Sequence, residues 1–166
     1  MTSARKAMST RPPRGFSLVE LMVAVAVVAI LSAIAIPSYS AYVIRGQRAA
    51  AKAVLLQTAQ AMERYYTQNG SYVTTAGLFP LNPVGGTATC VALAPMDSNT
   101  TTYCISGAAT ASRGYVLSAT PCGAGGCPAA ANQGYQDAAC NVLTIDNTGL
   151  KAVVGATSTA DQCWQH

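Results

Sequence analysis

The 166-residue sequence is poor in charge and almost without histidine. Only 10% of its residues are charged and 51% are hydrophobic, which excludes a solvated, disordered chain. The one histidine is His166, the last residue, and few acidic residues follow Asn69. Mixed Cys/His zinc ligation therefore has little support, and no acid–base or nucleophilic constellation emerges. We predict no catalytic residues, no metal site and no cofactor.

Two glycine-rich stretches lack the residues of a phosphate loop. Neither NPVGG (82–86) nor CGAGGC (122–127) carries the Gly-Lys-Ser/Thr ending or the strand-to-helix setting of that motif. We predict that the protein is not an enzyme.

Positive charge is concentrated at the N-terminus. The formal net charge is +4, and four of the ten basic residues lie in the first fifteen positions: Arg5, Lys6, Arg11 and Arg14. The six remaining basic residues balance the six acidic ones. Nucleic acid is therefore not indicated as a partner by the charge of the whole chain.

An apolar run follows this basic leader. Residues 21–36 contain no charge, and Ser32 is their only polar residue. A first interpretation is a signal peptide cleaved after Ala35, which would release a secreted, disulfide-rich binding protein. A second is a plain membrane anchor, and a third is an anchor trimmed on its cytoplasmic side. The basic residues would keep the N-terminus of either anchor in the cytoplasm.

All six cysteines follow the apolar run, in a region rich in Gly and Thr. An even number of cysteines in such a region indicates disulfides formed outside the cytoplasm. Six cysteines permit fifteen pairings, and the residues alone do not choose among them. The cysteines are Cys90, Cys104, Cys122, Cys127, Cys140 and Cys163.

The segment 41–68 is predicted to be an amphipathic helix that ends at Asn69-Gly70. Its apolar stripe consists of Ala51, Val54, Leu55, Thr58, Met62, Tyr65 and Tyr66. Four basic residues lie largely outside the stripe and are predicted to form a solvated face: Arg45, Arg48, Lys52 and Arg64. Pro37 is predicted to kink the helix on its N-terminal side.

Strand patterns appear after an irregular connection over 69–100. Residues 101–107 and 114–121 predict one hairpin, and 141–155 predict a second with its turn at Asp146-Asn147-Thr148-Gly149. Four antiparallel strands would cover the apolar stripe of the helix, giving an α+β domain. Trp164 is predicted to pack in the core, the alternative being an exposed contact for a partner.

The string Gly15-Phe16-Ser17-Leu18-Val19-Glu20, placed between a basic leader and an apolar helix, resembles the prepilin signature of type IV pilins and type II secretion pseudopilins. The resemblance implies that a prepilin peptidase cuts between Gly15 and Phe16 and that Phe16 is then N-methylated. It also implies that Glu20 pairs with the Phe16 amine of a neighbouring subunit during assembly. The alternative role for Glu20 is to face the dipole of its own helix.

The resemblance implies a pilin fold, in which a long N-terminal helix packs its second half on a small antiparallel sheet. The expected division is a cleaved leader (1–15), a membrane and filament-core helix (16–40) and an extracytoplasmic head (41–166). The head would hold a helix (41–68), a connecting loop (69–100) and the sheet with a disulfide-bounded C-terminal region (101–166).

The family's C-terminal region suggests a disulfide pattern. Pairing Cys140 with Cys163 matches the disulfide-bounded region of many pilins, and DQCWQH resembles the Cys-Trp ending of PilE-like minor pilins. Pairs between Cys90 and Cys104 and between Cys122 and Cys127 then follow as neighbours.

The resemblance indicates a minor subunit of a type IV pilus, used in adhesion, twitching motility or DNA uptake. Its expected partners are other pilin subunits, the prepilin peptidase and the pilus assembly machinery of the inner membrane. It would sit in that membrane with a periplasmic head before assembly, and in an extracellular pilus afterwards. A major pilin and a type II secretion pseudopilin stay open as alternatives.

Overall fold

The computed structural model describes residues 15–74, 79–81, 90–96, 101–111, 113–124, 127 and 134–165. The predicted leader 1–15, apart from Gly15, and half of the predicted connection 69–100 lie outside the described residues. The chain divides into two compact units, Met1–Ser40 and Ala41–His166.

One long helix, α1, covers Leu18–Asn69 (52 residues). It begins after Ser17, whose carbonyl oxygen accepts a hydrogen bond from Leu21 N at 3.1 Å. The predicted stop is confirmed, because Gly70 follows with a left-handed φ of 66° that a residue with a side chain rarely adopts. The helix continues through Pro37, and the kink expected there stays a prediction.

The second unit contains a five-stranded antiparallel sheet with the strand order β1-β2-β3-β4-β5. Its strands are β1 Ala92–Ala94, β2 Tyr103–Ala111, β3 Gly114–Pro121, β4 Val142–Asp146 and β5 Lys151–Val154. A short 3₁₀ turn, Cys122–Ala124, follows β3, and helix α2, Ala160–Gln165, follows β5. Both predicted hairpins are confirmed.

Strand β1, helix α2 and the 3₁₀ turn were not predicted. Strand β1 lies in a region expected to be irregular, and α2 lies in a tail for which no helix was expected. β1 is three residues long and is held by β2, since Val91 N donates to Ile105 O (2.7 Å) and Thr102 N donates to Ala94 O (2.9 Å). Such short elements depend on tertiary partners more than on local propensity.

The core of this unit lies between one face of the sheet and the second half of α1. From the helix, Ala51, Leu55 and Met62 are fully buried, and Val54 and Thr58 nearly so. The facing strand residues share the same burial and are Tyr103, Ile105, Tyr115, Leu117, Ala119, Leu143 and Ile145. The predicted α+β class is confirmed, as is the predicted apolar stripe.

Two glycines have contrasting surroundings. A Cβ at Gly123 would overlap the carbonyl oxygen of Tyr135, which also accepts a hydrogen bond from Gly123 N at 2.7 Å. A Cβ at Gly46, an exposed position inside α1, would meet no atom within 4 Å. Gly123 therefore allows a close backbone approach, whereas Gly46 only weakens its helix.

We expect Gly123→Ala to lower the free energy of unfolding by about 1–3 kcal/mol, since the new methyl group must displace backbone. Gly46→Ala, its matched control, should raise it by about 0.5–1 kcal/mol through helix propensity. Urea unfolding of the full chain in detergent, followed by circular dichroism, measures both. Equal effects of the two substitutions would show that the contact with Tyr135 does not restrict position 123.

Candidate functional site

The predicted processing segment lies at the beginning of α1. Gly15, Phe16 and Ser17 precede the helix, and Glu20 lies in its first turn. All four residues are exposed, and Phe16 keeps 84% of its surface accessible. The scissile bond expected between Gly15 and Phe16 is thus outside regular secondary structure.

The first half of α1 presents a continuous apolar surface. Its large hydrophobic side chains from Leu18 to Ile36 are between 50% and 76% exposed. An 18-residue window here has a mean hydropathy of 2.7 and no buried residue, and the helix is long and apolar enough to cross a membrane. An exposed apolar surface of this extent requires lipid or protein to cover it.

A buried ion pair joins α1 to the loop before β4 in the second unit. Arg48 donates from Nε to Oδ2 of Asp137 and from Nη2 to Oδ1, both at 2.8 Å. Arg48 is 7% exposed and Asp137 is 3% exposed. The carboxylate also accepts from Tyr103 OH at 2.7 Å and from Cys140 N at 3.2 Å. Both charges are therefore paired and hydrogen-bonded, as burial requires.

The pKa values in this cluster follow from these contacts. The hydrogen bond to Asp137 outweighs the cost of burial and raises the pKa of Arg48. Burial acts to raise the pKa of Asp137, but the hydrogen bonds from Arg48, Tyr103 and Cys140 N outweigh it and the pKa lies below its usual value. Burial, with hydrogen bonds to Tyr135 and Asp137, raises the pKa of Tyr103. The charged pair is therefore the stable form at neutral pH.

The prediction that four basic residues form a solvated face on α1 is wrong for two of them. Arg48 is buried against Asp137, and Lys52 is half-buried, with Nζ donating to the carbonyl oxygens of Cys163 (3.4 Å) and Trp164 (3.3 Å). Arg45 and Arg64 are exposed as predicted. Helix periodicity could not identify the buried pair, because Asp137 lies 89 positions along the chain from Arg48.

Three disulfides lie in the second unit: Cys90–Cys104, Cys122–Cys127 and Cys140–Cys163. They coincide with the pairs expected from the family resemblance. Cys140–Cys163 spans 23 positions and encloses β4, β5 and the first residues of α2.

Trp164 packs at the margin of the core, in line with the first of its two predicted roles. Its side chain is half-buried, and Nε1 donates to the carbonyl oxygen of Ala152 in β5 at 3.1 Å. Lys151 Nζ lies 5.3 Å from the centroid of the ring, a cation–π arrangement. The tail after β5 is thus fixed against the sheet.

A second polar cluster, which sequence reasoning missed, fastens the end of α1. Glu63 accepts hydrogen bonds from Tyr72 OH (2.9 and 3.1 Å to its two oxygens) and from Tyr115 OH (3.0 Å). Burial, followed by the hydrogen bond to Glu63, raises the pKa of Tyr72 to about 12. The sequence signal was limited to a concentration of tyrosines near the helix end.

Comparison with protein families matches residues 37–144 to the type IV minor pilin ComP, described as a DNA uptake sequence receptor. This match covers more than half of the chain. The chain belongs to this type IV minor pilin family. Residues 11–36 match the prokaryotic N-terminal methylation motif, immediately before the first match. The protein is therefore a type IV pilin, a subunit of pili, and its family is structural, not enzymatic.

Curated relatives are fimbrial proteins. A fimbrial protein of Neisseria meningitidis serogroup B is 37% identical over 78 residues, which cover 44% of this chain and 45% of the relative. The type IV major pilin PilE1 of Neisseria gonorrhoeae is 40% identical over 70 residues, covering 39% and 41%. The pilin spans less than half the length of these relatives in the matched regions.

Solved structures of pilins also match. A type IV pilin from Shewanella oneidensis has 27% identity and a TM-score of 0.43, over 74% of this chain and 99% of that one. The non-core minor pilin PilV of Neisseria meningitidis has 20% identity and a TM-score of 0.46, over 72% and 94%.

We expect Asp137→Asn to destabilise the pilin by about 3–5 kcal/mol, because it leaves the buried Arg48 cation without its counter-charge. The double variant Arg48→Met/Asp137→Asn should be less destabilised than the sum of its single variants, since it leaves no buried charge unpaired. Arg45→Met, at an exposed position of the same helix, should change stability by no more than about 0.5 kcal/mol. Thermal unfolding in detergent measures both single variants, Asp137→Asn and Arg48→Met, their double variant and Arg45→Met.

The same pair predicts a pH dependence. The pKa of Asp137 in the folded state is below its unfolded value of about 3.9. The pair therefore makes its full contribution to the free energy of unfolding above a pH of about 3.9. Its contribution is lost as the pH falls through the folded-state pKa, so stability should decline in that range for the wild type. The decline should be smaller in Asp137→Asn, and an equal decline in both proteins would contradict the role given to the pair.

Proposed function

We propose that this pilin is a minor subunit that is cleaved between Gly15 and Phe16 and assembled into a type IV pilus through the first half of α1. The observation that carries the proposal is the exposed apolar surface of Leu18 to Ile36, which lies within the match to the methylation motif. Lipid would cover this surface before assembly, and the same segment of other subunits would cover it in the filament. The protein acts by assembly.

Exposure of the N-terminal segment supports cleavage by the prepilin peptidase. Gly15 has no Cβ, no neighbouring atom lies within 4 Å of where one would be, and both it and Phe16 precede the helix. A protease at a membrane surface needs an accessible backbone outside regular secondary structure, and this segment provides one. Cleavage here would retain the whole of α1 in the mature protein and leave a basic amine on Phe16, which methylation preserves.

Glu20 is proposed to pair with the Phe16 amine of a neighbouring subunit. Its carboxylate lies in the first turn of an apolar helix and is exposed. A charge near the centre of a membrane helix costs about 2.5–3.5 kcal/mol, so a carboxylate in lipid needs a partner. An amine at the N-terminus of a neighbour provides that partner and would fix the axial register of the filament.

The proposed topology places the N-terminus in the cytoplasm and the second unit in the periplasm of a cell with an inner membrane. The four basic residues of the leader favour this orientation. The three disulfides of the second unit favour an oxidising compartment. Partners in this scheme are other pilins, the prepilin peptidase and the assembly machinery of the membrane.

The family match favours a minor pilin over the alternatives. A methylation motif over residues 11–36 supports pilin processing rather than signal-peptide cleavage after Ala35. The curated relatives include major pilins, so abundance in sheared filaments distinguishes a minor from a major subunit.

DNA binding is a second candidate function, because the matching family is described as a DNA uptake sequence receptor. Four basic side chains in the described part of the second unit are exposed: Arg45, Arg64, Arg113 and Lys151. Arg48 is unsuited to this role, since Asp137 already neutralises it. A receptor with so few exposed cations would make few phosphate contacts and bind with a shallow salt dependence.

The assembly proposal predicts that Glu20→Ala enters the membrane and is cleaved normally but is depleted from filaments. Mass spectrometry of the mature protein should find N-methylated Phe16 in both wild type and variant. Immunoblots of sheared pili, normalised to the membrane pool, measure incorporation. Glu20→Gln is the matched control for side-chain size, and it should be depleted as well because it also lacks the charge.

Two results would contradict this scheme. A mature N-terminus at Ile36 would overturn pilin processing. Normal incorporation of Glu20→Ala into filaments would show that Glu20 interacts only with the dipole of its own helix.

The DNA candidate predicts binding of labelled duplex DNA at low salt, measured by fluorescence anisotropy. The slope of log Kd against log salt should be no steeper than about 3.6, since each phosphate contact contributes about 0.9. A combined Arg64→Ala, Arg113→Ala and Lys151→Ala variant should weaken binding at least about tenfold, equivalent to 1.4 kcal/mol. Gln57→Ala/Gln60→Ala is the neutral surface control. Absence of binding at low salt would remove this candidate and leave the assembly role untouched.

A further inference from the structure

The dipeptide Asn69-Gly70 lies at the exposed end of α1. Asn69 is the last residue of the helix, and no atom lies within 4 Å of where a Cβ of Gly70 would be. Asparagine is chemically labile, above all before glycine, because glycine has no side chain to hinder attack by its backbone nitrogen on the asparagine amide. The groups that react in deamidation are therefore both present and reachable by water.

Deamidation at this dipeptide needs no reagent except water. The backbone nitrogen of Gly70 loses its proton and attacks Cγ of Asn69, the bond from Cγ to Nδ2 breaks, and Nδ2 leaves with that proton as ammonia. Water then opens the cyclic imide by breaking one of the two bonds from its ring nitrogen to a carbonyl carbon. The products are aspartate or isoaspartate, in which the main chain runs through the side chain. No atom is oxidised or reduced.

Two hydrogen bonds in the last turn of α1 hold the reacting groups apart. Gly70 N donates to the carbonyl oxygen of Tyr66 at 2.7 Å, so the nitrogen that must attack is already engaged. Asn69 Nδ2 donates to the carbonyl oxygen of Tyr65 at 2.9 Å, which draws the amide back along the helix. Attack therefore requires both bonds to break and the end of the helix to open.

Tyr72 fixes the chain that follows the dipeptide. Its hydroxyl donates to both carboxylate oxygens of Glu63, at 2.9 and 3.1 Å, and its ring stacks on Tyr66 with the ring centroids 4.4 Å apart. Tyr72 is buried, and its ring also meets Tyr115 edge to face at 4.9 Å. We name Glu63, Tyr66 and Tyr72 the clamp. Because the clamp joins the chain before the dipeptide to the chain after it, the last turn opens only when the clamp releases.

We propose that Asn69-Gly70 is a deamidation site of this pilin and that the clamp sets the rate of its conversion. Conversion is slow while the clamp is closed, and the imide forms only when the end of the helix opens. The change is one-way, because the ammonia is lost.

The product does not fit the closed clamp. A carboxylate at position 69 cannot donate to the carbonyl oxygen of Tyr65, and it places a negative charge at the C-terminal end of the helix dipole, where an anion is unfavourable. Isoaspartate also adds one atom to the main chain before Tyr72, so the bond to Glu63 loses its register. Each converted subunit thus has a weaker helix end and one more negative charge.

The test follows deamidation of the full chain in detergent at mildly alkaline pH, by peptide mapping with mass spectrometry. Enzymatic methylation of isoaspartate identifies the second product. We expect Asn69 to convert more slowly in the folded wild type than in the same chain unfolded in urea with its disulfides reduced. Tyr72→Phe keeps the ring but loses the bond to Glu63, so it should convert about tenfold faster than wild type, as expected from losing one hydrogen bond to a charged group.

Three controls separate the clamp from the chemistry. Tyr115→Phe removes a hydroxyl donor to the same carboxylate, but from β3, and should convert at the wild-type rate. Asn147 is also exposed, but the β-branched Thr148 follows it and should keep it unconverted in the folded state. Gly70→Ala, compared in the unfolded chain only, should slow conversion of Asn69, since its methyl group hinders the attacking nitrogen.

Glu63→Ala provides a second route if Tyr72→Phe does not fold. It removes the acceptor at an exposed helical position and should accelerate conversion in the same way. Equal rates in wild type and in both clamp variants would overturn the role of the clamp. Products without isoaspartate would overturn attack by Gly70 N, and equal rates in the folded and unfolded wild type would show that the fold does not restrain the site.

Discussion

The ion pair between Arg48 and Asp137 is the interaction on which the C-terminal region depends. It joins α1 to the loop before β4, and the same loop leads directly into Cys140 and its disulfide. Lys52, one helical turn after Arg48, bonds to the far end of the disulfide-bounded segment. One face of α1 thus determines where both ends of that segment lie, and the apolar stripe beside it determines where the sheet lies.

The hairpins, the buried stripe of α1 and the N-terminal motif could be predicted from short-range sequence patterns. Period-two alternation in 101–121 and 141–155 yielded both hairpins, and three-to-four spacing from Ala51 to Met62 yielded the buried stripe. The motif from Gly15 to Glu20 led to the family that the comparisons show. These features repeat within a few residues, so one sequence is enough to find them.

The features that the sequence failed to predict depend on contacts between residues far apart in the chain. Burial of Arg48 and Lys52 depends on acceptors that are distant in sequence, and a charged residue at the border of a helical stripe is normally solvated. Strand β1 and helix α2 are too short to have a pattern of their own and exist through β2 and through a disulfide. Glu63 likewise acquires its two tyrosine partners only when the sheet docks on the helix.

The Cys140–Cys163 disulfide also bears on how the pilin withstands proteolysis. The turn between β4 and β5 is exposed from Asn147 to Leu150, which makes it an accessible place for cleavage. A cut there falls inside the 23-position span of the disulfide, so the two fragments stay covalently joined. The sheet pairing of β4 with β5 would hold the fragments in register. A subunit nicked at this turn would therefore keep its place in a pilus, and the damage would become visible only after reduction.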